Sequence, residues 1–273
     1  MRRDLASALI MEDDVDWDVR IKDQLHDFAL ASNALTQPLS KNSGEYADST
    51  FPTPQDVTSL PDHHISFDDL PSTLRPQTSP YGDNWDILWL GHCGMAFPAA
   101  SKRGAKNIPK GRVIQSQDPT VPPRESMGFI ASEQELKDQY PDHTRVTHHA
   151  SEGVCALGYA VTQAGARSLL YWLGLTEVNG ALDFMLSMAC EGASGKPYHR
   201  CLTTQPPIFN HYRAKGKKEF ESDIDDHGSD PRENARSDNT QWGVKMNFGG
   251  MLKGQRSFVD LYPYPESDRN LRR

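Results

Sequence analysis

The chain has 273 residues, 29 basic against 37 acidic side chains, a formal net charge of −8 and 37% hydrophobic residues. That length suits one domain with appendages. The acidic balance, without a long Lys/Arg run, excludes a nucleic acid as the expected partner, because binding a phosphate backbone needs clustered positive charge. A mean hydropathy of −0.65, with no run of about 18 apolar residues, leaves no membrane-spanning segment and points to a soluble chain rich in solvated loops.

Ala6 to Met11 is an apolar run that ends abruptly at Glu12, Asp13 and Asp14. It reads as a short buried strand feeding an acidic turn. Asp16 then caps a helix in which Trp17, Ile21, Leu25 and Phe28 recur at spacings of four and three, one apolar stripe. From 32 to 83 the texture changes. Seven of the 19 prolines fall between Pro38 and Pro80 and no periodicity survives, as in an inserted irregular loop.

Order returns at Trp85 to Gly91, a strand that stops at Gly91-His92-Cys93-Gly94. A second irregular stretch, 98–145, holds one short helix at 132–139. Val154 to Val161 reads as a strand, after which Thr162 caps a helix burying Ala166, Leu169, Leu170 and Leu173. Leu182 to Cys190 form another short helix, followed by a strand at Cys201 to Thr204 and a rigid Pro206-Pro207 turn. Beyond Arg213 the chain is strongly charged, so residues 1–213 read as the folded domain and 214–273 as a partly disordered extension. Strands alternating with helices predict an α/β fold with a mainly parallel sheet, whose ligands bind beyond the carboxyl ends of its strands. The acidic turn falls at such an end. The four cysteines, Cys93, Cys155, Cys190 and Cys201, contain no CxxC pair and are either buried thiols or two disulfides.

Carboxylates two positions apart on an extended segment project to the same side, so Glu12 and Asp14 can share one hard divalent cation while Asp13 faces the other way. The alternative is that these acids only complement a helix N-terminus. Asp14, Asp16 and Asp18 imitate the start of an EF-hand loop, but Val19 stands where glycine is required and Leu25 where the closing Glu is required, which excludes it. An aspartyl phosphotransferase with Asp14 as nucleophile stays open, although Asp18 replaces the small residue expected there.

The runs ALIMEDDVDWD, WDILWLGHCG, VCALGYAVTQAGARSLL, ALDFML, CLTTQPPIFNHY and Ser222-Asp223-Ile224, in that order, together resemble glycosyltransferase family 25, in its fungal-type branch with long polar loops. The resemblance spans nearly the whole chain. It implies a GT-A-like fold, a nucleotide-sugar donor such as a UDP-hexose, a glycan or protein hydroxyl acceptor, and Mn2+ at the Glu-Asp-Asp motif. Carried onto this chain, it makes Glu12, Asp14 and His211 metal ligands and places Asp13, Ser222 and Asp223 at the donor; the alternatives are that His211 is an ordinary surface histidine or touches the diphosphate, and that Ser222 and Asp223 lie in solvent. The physics agrees: a divalent cation stabilises the negative charge that develops on a diphosphate leaving group, and hard cations favour carboxylates.

The inverting transfer implied by the family needs a base for the acceptor hydroxyl. Asp183, in the block matching the family's Asp-x-x-Leu pattern, is the candidate, its alternative being an N-cap that closes the helix. His92 and Cys93 end a strand on the same edge, lining the acceptor side or serving structure alone. Tyr159, Gly165, Ala166 and Arg167 are assigned to the core. Family members carry a strand-helix unit before the acidic motif. Only eleven residues precede Glu12 here, so the expectation is an N-terminally truncated domain, ER- or Golgi-associated where an anchor precedes it. The alternative is an inactive remnant that binds carbohydrate or a protein.

Overall fold

In the computed structural model, residues 5–52, 63–98, 108–128, 133–176, 180–217 and 231–263 are described. The elements in chain order are β1 (Ser7–Met11), β2 (Val15–Trp17), α1 (Ile21–Thr36), β3 (His63–Ser66), β4 (Ile87–Gly91), β5 (Gly94–Ala96), β6 (Gly111–Gln115), α2 (Glu133–Gln139), β7 (Arg145–His149), β8 (Ser151–Val154), β9 (Gly158–Thr162), α3 (Gln163–Leu169), α4 (Leu182–Glu191), β10 (Cys201–Gln205), β11 (Phe209–Arg213), β12 (Arg236–Ser237) and α5 (Val244–Leu252). A large mixed sheet in the order β1-β9-β4-β10-β7-β6-β3 forms the centre, with β11 beside the end of β4 and also pairing with β2 and β12. The expected parallel character holds where β4 meets β10 and β11 and where β3 meets β6. The remaining ladders are antiparallel.

β4 is the hydrophobic spine. Period-2 alternation sends Leu88 and Leu90 to the face covered by α1, where Phe28, Ala31 and Leu35 pack, while Ile87 and Trp89 meet Leu186, Cys190 and Val161 beneath α3 and α4. A strand covered on both faces reads as a continuous apolar run, which is why ILWLG was legible. The indole of Trp89 is fully buried and donates to the carbonyls of Gly91 and Cys155 at 3.1 and 3.0 Å. Gly91 and Gly158 let β11 close in. A Cβ on Gly91 would stand 2.6 Å from the Gly158 nitrogen, and one on Gly158 would stand 2.8 Å from the Phe209 ring.

Several expectations are corrected. β1 is not buried: it is an edge strand, antiparallel to β9, with Ser7 to Met11 all exposed. Among the described residues it has a strand neighbour on one side only. Asp16 does not cap a helix. Val15–Trp17 is strand β2, and α1 starts four residues after Trp17, keeping Ile21, Leu25 and Phe28 of the predicted stripe. The buried Asp16 carboxylate instead accepts from the Ser237 hydroxyl and from the backbone N–H groups of Trp17 and Lys245. Asp18 binds the Arg20 guanidinium and the Trp242 N–H, and Arg20 stacks 4.0 Å over the Trp242 ring. Together they moor the segment 231–263 to β2.

The two stretches read as irregular contain β3 and β6, which pair in parallel, while α2 lies where the short helix was expected. The run VCALGYAV is split into β8 and β9, with Cys155 between them at φ 60°. Thr162 caps α3 as predicted, its hydroxyl accepting from the Gly165 N–H at 3.0 Å. The helix then continues as a π-helical stretch, Leu170–Thr176, which turns Leu170 out to 62% exposure while Leu173 stays buried. The cysteines form two disulfides, Cys93–Cys155 and Cys190–Cys201. No helix among the described residues is long and apolar enough to cross a membrane.

Candidate functional site

The acidic turn lies where the carboxyl ends of β1 and β4 meet the start of β9: Met11 and Gly91 both pair with Gly158, and the Glu12 N–H donates to the Leu157 carbonyl at 3.0 Å. Register then brings in a histidine almost 200 residues away. β11 pairs antiparallel with β2, His211 opposite Val15, and the Tyr212 N–H donates to the Asp14 carbonyl at 2.7 Å. This places His211 Nδ1 3.0 Å from Asp14 Oδ2. The other carboxylate oxygen of Asp14 is buried without a hydrogen-bond partner.

From His211 a chain of contacts runs on to the predicted base. His211 Nε2 lies 3.4 Å from Cys93 Sγ, Cys93 is bonded to Cys155, and the Cys155 N–H donates to Asp183 Oδ2 at 2.9 Å. Asp183 is not the N-cap, a position held by Ala181; it lies inside the first turn of α4 and docks that turn on the β8–β9 connection. The structure therefore brings Glu12, Asp14, His211 and Asp183 into one neighbourhood from three separate segments.

The electrostatics record that convergence. Burial, then the negative charges of Asp14, Asp13 and Asp183, push the Glu12 carboxyl above its ordinary range against the opposing pull of His211. Burial also pushes on Asp14, but the hydrogen bond and charge of His211, with the cations Arg213 and Lys245, outweigh it and hold that carboxyl low. The Tyr159 hydroxyl is raised by burial and by Glu12, so a tyrosine assigned to the core borders the site.

Asp14 and His211 offer two ligand atoms 3.0 Å apart, the spacing of adjacent corners around an octahedral cation with bonds of about 2.1 Å. With the unpartnered Asp14 oxygen, they fit a hard or borderline divalent ion. Among the described residues, the trio of His, Cys, Asp or Glu side chains whose ligand atoms all lie within 4.8 Å of one another is Cys93, Cys155 and His211. Glu12, Asp14 and His211 do not close to that radius together, so Glu12 stands outside a ready-made first ring. The disulfide leaves the two sulfurs without thiolate character.

Asp13 presents its carbonyl to Lys245 Nζ at 2.6 Å. Ser222 and Asp223 lie outside the described residues. His92 is buried, its Nε2 3.0 Å from the Thr204 carbonyl and its Nδ1 accepting from the Gly94 N–H, which makes it structural. Asp16, the second acid an aspartyl-phosphate mechanism would use, is occupied by Ser237 and two backbone donors. Sequence reasoning missed Lys245 and Arg213. Arg213 was within reach, because it shares a strand face with His211 two residues earlier; nothing local marks Lys245. No protein-family model matches the chain, and neither a curated protein nor a solved structure proves similar to it.

Proposed function

We propose that this chain is a glycosyltransferase that moves a hexosyl unit from a nucleotide sugar, UDP-linked by the family resemblance, to a hydroxyl of a glycan or protein acceptor, with Mn2+ at the acidic turn. One observation carries the reading: a buried, unpartnered Asp14 oxygen beside His211, inside a cluster of carboxylates where burial and then the neighbouring negative charges raise Glu12. A cation supplies the missing partner and relieves the repulsion. Bound there, it would neutralise the charge developing on the departing diphosphate.

The chain's own residues hold and orient. Asp14 and His211, fixed by the β2–β11 ladder, would hold the ion, with Glu12 beside them. Asp183, oriented by the Cys155 N–H, takes the acceptor's hydroxyl proton as the anomeric carbon is attacked. The Cys93–Cys155 disulfide ties the metal side of the site to the base side. Two disulfides with no free cysteine fit an oxidising compartment.

The test is isothermal titration of Mn2+ and then UDP into the protein. The reading expects Mn2+-dependent UDP binding that disappears in Asp14→Ala; a parent protein with no affinity for either abandons it. A second reading, a binding protein without turnover, draws on the exposure of all of β1. UDP-hexose binding without hydrolysis or transfer would select it.

A further inference from the structure

The two ring nitrogens of His211 have different neighbours. Nδ1 lies 3.0 Å from Asp14 Oδ2. An ionised carboxylate only accepts, so in the neutral ring the proton sits on Nδ1 and Nε2 carries a lone pair. What Nε2 meets is Cys93 Sγ, 3.4 Å away. Cys93 is bonded to Cys155, so that sulfur has no proton to give. A basic nitrogen and a sulfur face each other with no hydrogen between them.

Three elements deliver this cluster: Cys93 from the turn after β4, Cys155 from the β8–β9 connection and His211 from β11. The ligand atoms of all three lie within 4.8 Å of one another. Around a tetrahedral zinc ion with Zn–S of about 2.3 Å and Zn–N of about 2.0 Å, nitrogen and sulfur stand about 3.5 Å apart. The 3.4 Å between His211 Nε2 and Cys93 Sγ is such an edge. Asp14 on Nδ1 adds the other half of the arrangement, because a zinc-bound histidine typically gives its second N–H to a carboxylate, which fixes the tautomer and strengthens the ligand.

The two disulfides differ in how readily a reductant reaches them. Cys190 and Cys201 are each 1% exposed and pack with Ile87 and Trp89 inside the core. Cys155 is half-buried, and the His211 side chain beside its partner is 17% exposed. Thiol–disulfide exchange depends on access to a sulfur, so Cys93–Cys155 opens first.

We propose that reduction of Cys93–Cys155 turns this cluster into a zinc site, with the Cys93 and Cys155 thiolates and His211 Nε2 as ligands, Asp14 holding Nδ1, and water in the fourth position. The reductant is a dithiol. It gives two electrons and two protons to the disulfide and becomes a disulfide itself, leaving two thiols whose protons pass to solvent as Zn2+ binds. Thiolates with an imidazole suit zinc rather than a hard cation. The proposal does not rest on the Mn2+ reading, which uses the Nδ1 edge of the same ring with the disulfide intact.

For the test, the protein is reduced anaerobically with a water-soluble phosphine, which ends as its phosphine oxide with water supplying the oxygen. Co2+ is titrated in as a coloured probe and then displaced by Zn2+. The reduced protein, unlike the oxidised one, should bind one Co2+ with thiolate charge-transfer and tetrahedral visible absorption, and Zn2+ should shield Cys93 and Cys155 from alkylation, read by mass spectrometry. Asp14→Ala should weaken Zn2+ binding about 10- to 100-fold, and His211→Gln and Cys93→Ser further. Cys93→Ser removes a crosslink that reduction has already broken, so circular dichroism compares its fold with that of the reduced parent. A reduced protein that loses structure and regains it with Zn2+ also supports the site. A reduced parent without a thiolate band, equal affinity before and after reduction, or unchanged affinity in His211→Gln overturns it. Failure of Mn2+ and UDP to bind the oxidised protein defeats the sugar-transfer reading and leaves the zinc site standing.

Discussion

Acidification from pH 7 to 5 should destabilise this protein, and two histidines in the core are the reason. His92 donates from Nε2 to the Thr204 carbonyl and accepts at Nδ1 from the Gly94 N–H, a pattern only the neutral ring satisfies. His148 repeats it, with Nδ1 on the His149 carbonyl and Nε2 2.8 Å from the Gln205 amide. Burial drops the His92 pKa from an ordinary 6.5 to about 4, and burial likewise carries His148 well below the ordinary value. Protons therefore bind the unfolded chain first. The stabilisation is complete above pH 6.5 and is lost as pH falls toward the folded-state values. For His92, linkage between pH 7 and pH 5 amounts to about 2 kcal/mol, and His148 adds in the same direction. Glu12, raised from its ordinary 4.5 by burial and neighbouring negative charge, works in the opposite direction. Urea unfolding at the two pH values measures the change. His92→Gln, whose amide can make both hydrogen bonds, should flatten the pH slope by about one proton while itself costing about 1–2 kcal/mol. Equal stability at pH 7 and 5, or an unchanged slope in the variant, refutes the reasoning.

Other consequences are local. Gly91→Ala forces a methyl to 2.6 Å from the Gly158 nitrogen and should cost about 3 kcal/mol in urea unfolding, with weaker Mn2+ binding because β11 is displaced; wild-type stability would show that the β4–β9–β11 contact is looser than described. Thr162→Ala removes the α3 cap, expected at about 1 kcal/mol by the same assay. Asp16→Ala strands Ser237 and two backbone N–H groups, so hydrogen exchange over 244–252 should accelerate far more than over α1; equal protection in the two segments would contradict the mooring role. Removing Cys93–Cys155, which closes 62 residues, should cost about 4 kcal/mol against about 3 for Cys190–Cys201, which closes 11, on the loop-entropy relation. Denaturation of the two paired-alanine variants compares them, and a reversed order would mean that the buried sulfurs of Cys190 and Cys201 matter more than loop length.

Signals carried by a few consecutive residues were legible. The doubly buried β4 reads as an unbroken apolar run, Thr162 as a cap, Leu182 to Cys190 as a helix, and Glu12 to Asp14 as an acidic turn at a strand end. Where a local pattern had two solutions, its neighbours chose. Trp17 and Asp16 fit a helix start as well as a strand, and pairing with β11 made them strand. His63 to Ser66 looked like loop because a four-residue strand gains its meaning from β6, about 48 residues later.

The amino-acid order by itself determined the buried run of β4, the Thr162 cap of α3 and the presence of carboxylates where the first strand stops, because those depend on periodicity and on hydrogen bonds within one turn. Tertiary structure alone decided that β1 is an exposed edge, that Asp16 and Asp18 are anchors for 231–263 while one carboxylate oxygen of Asp14 is left without a partner, which cysteines join, and that His211 and Asp183 meet the acidic turn. Those outcomes rest on strand register between segments far apart in sequence, and register is fixed by the packing of whole faces rather than by any residue's immediate neighbours.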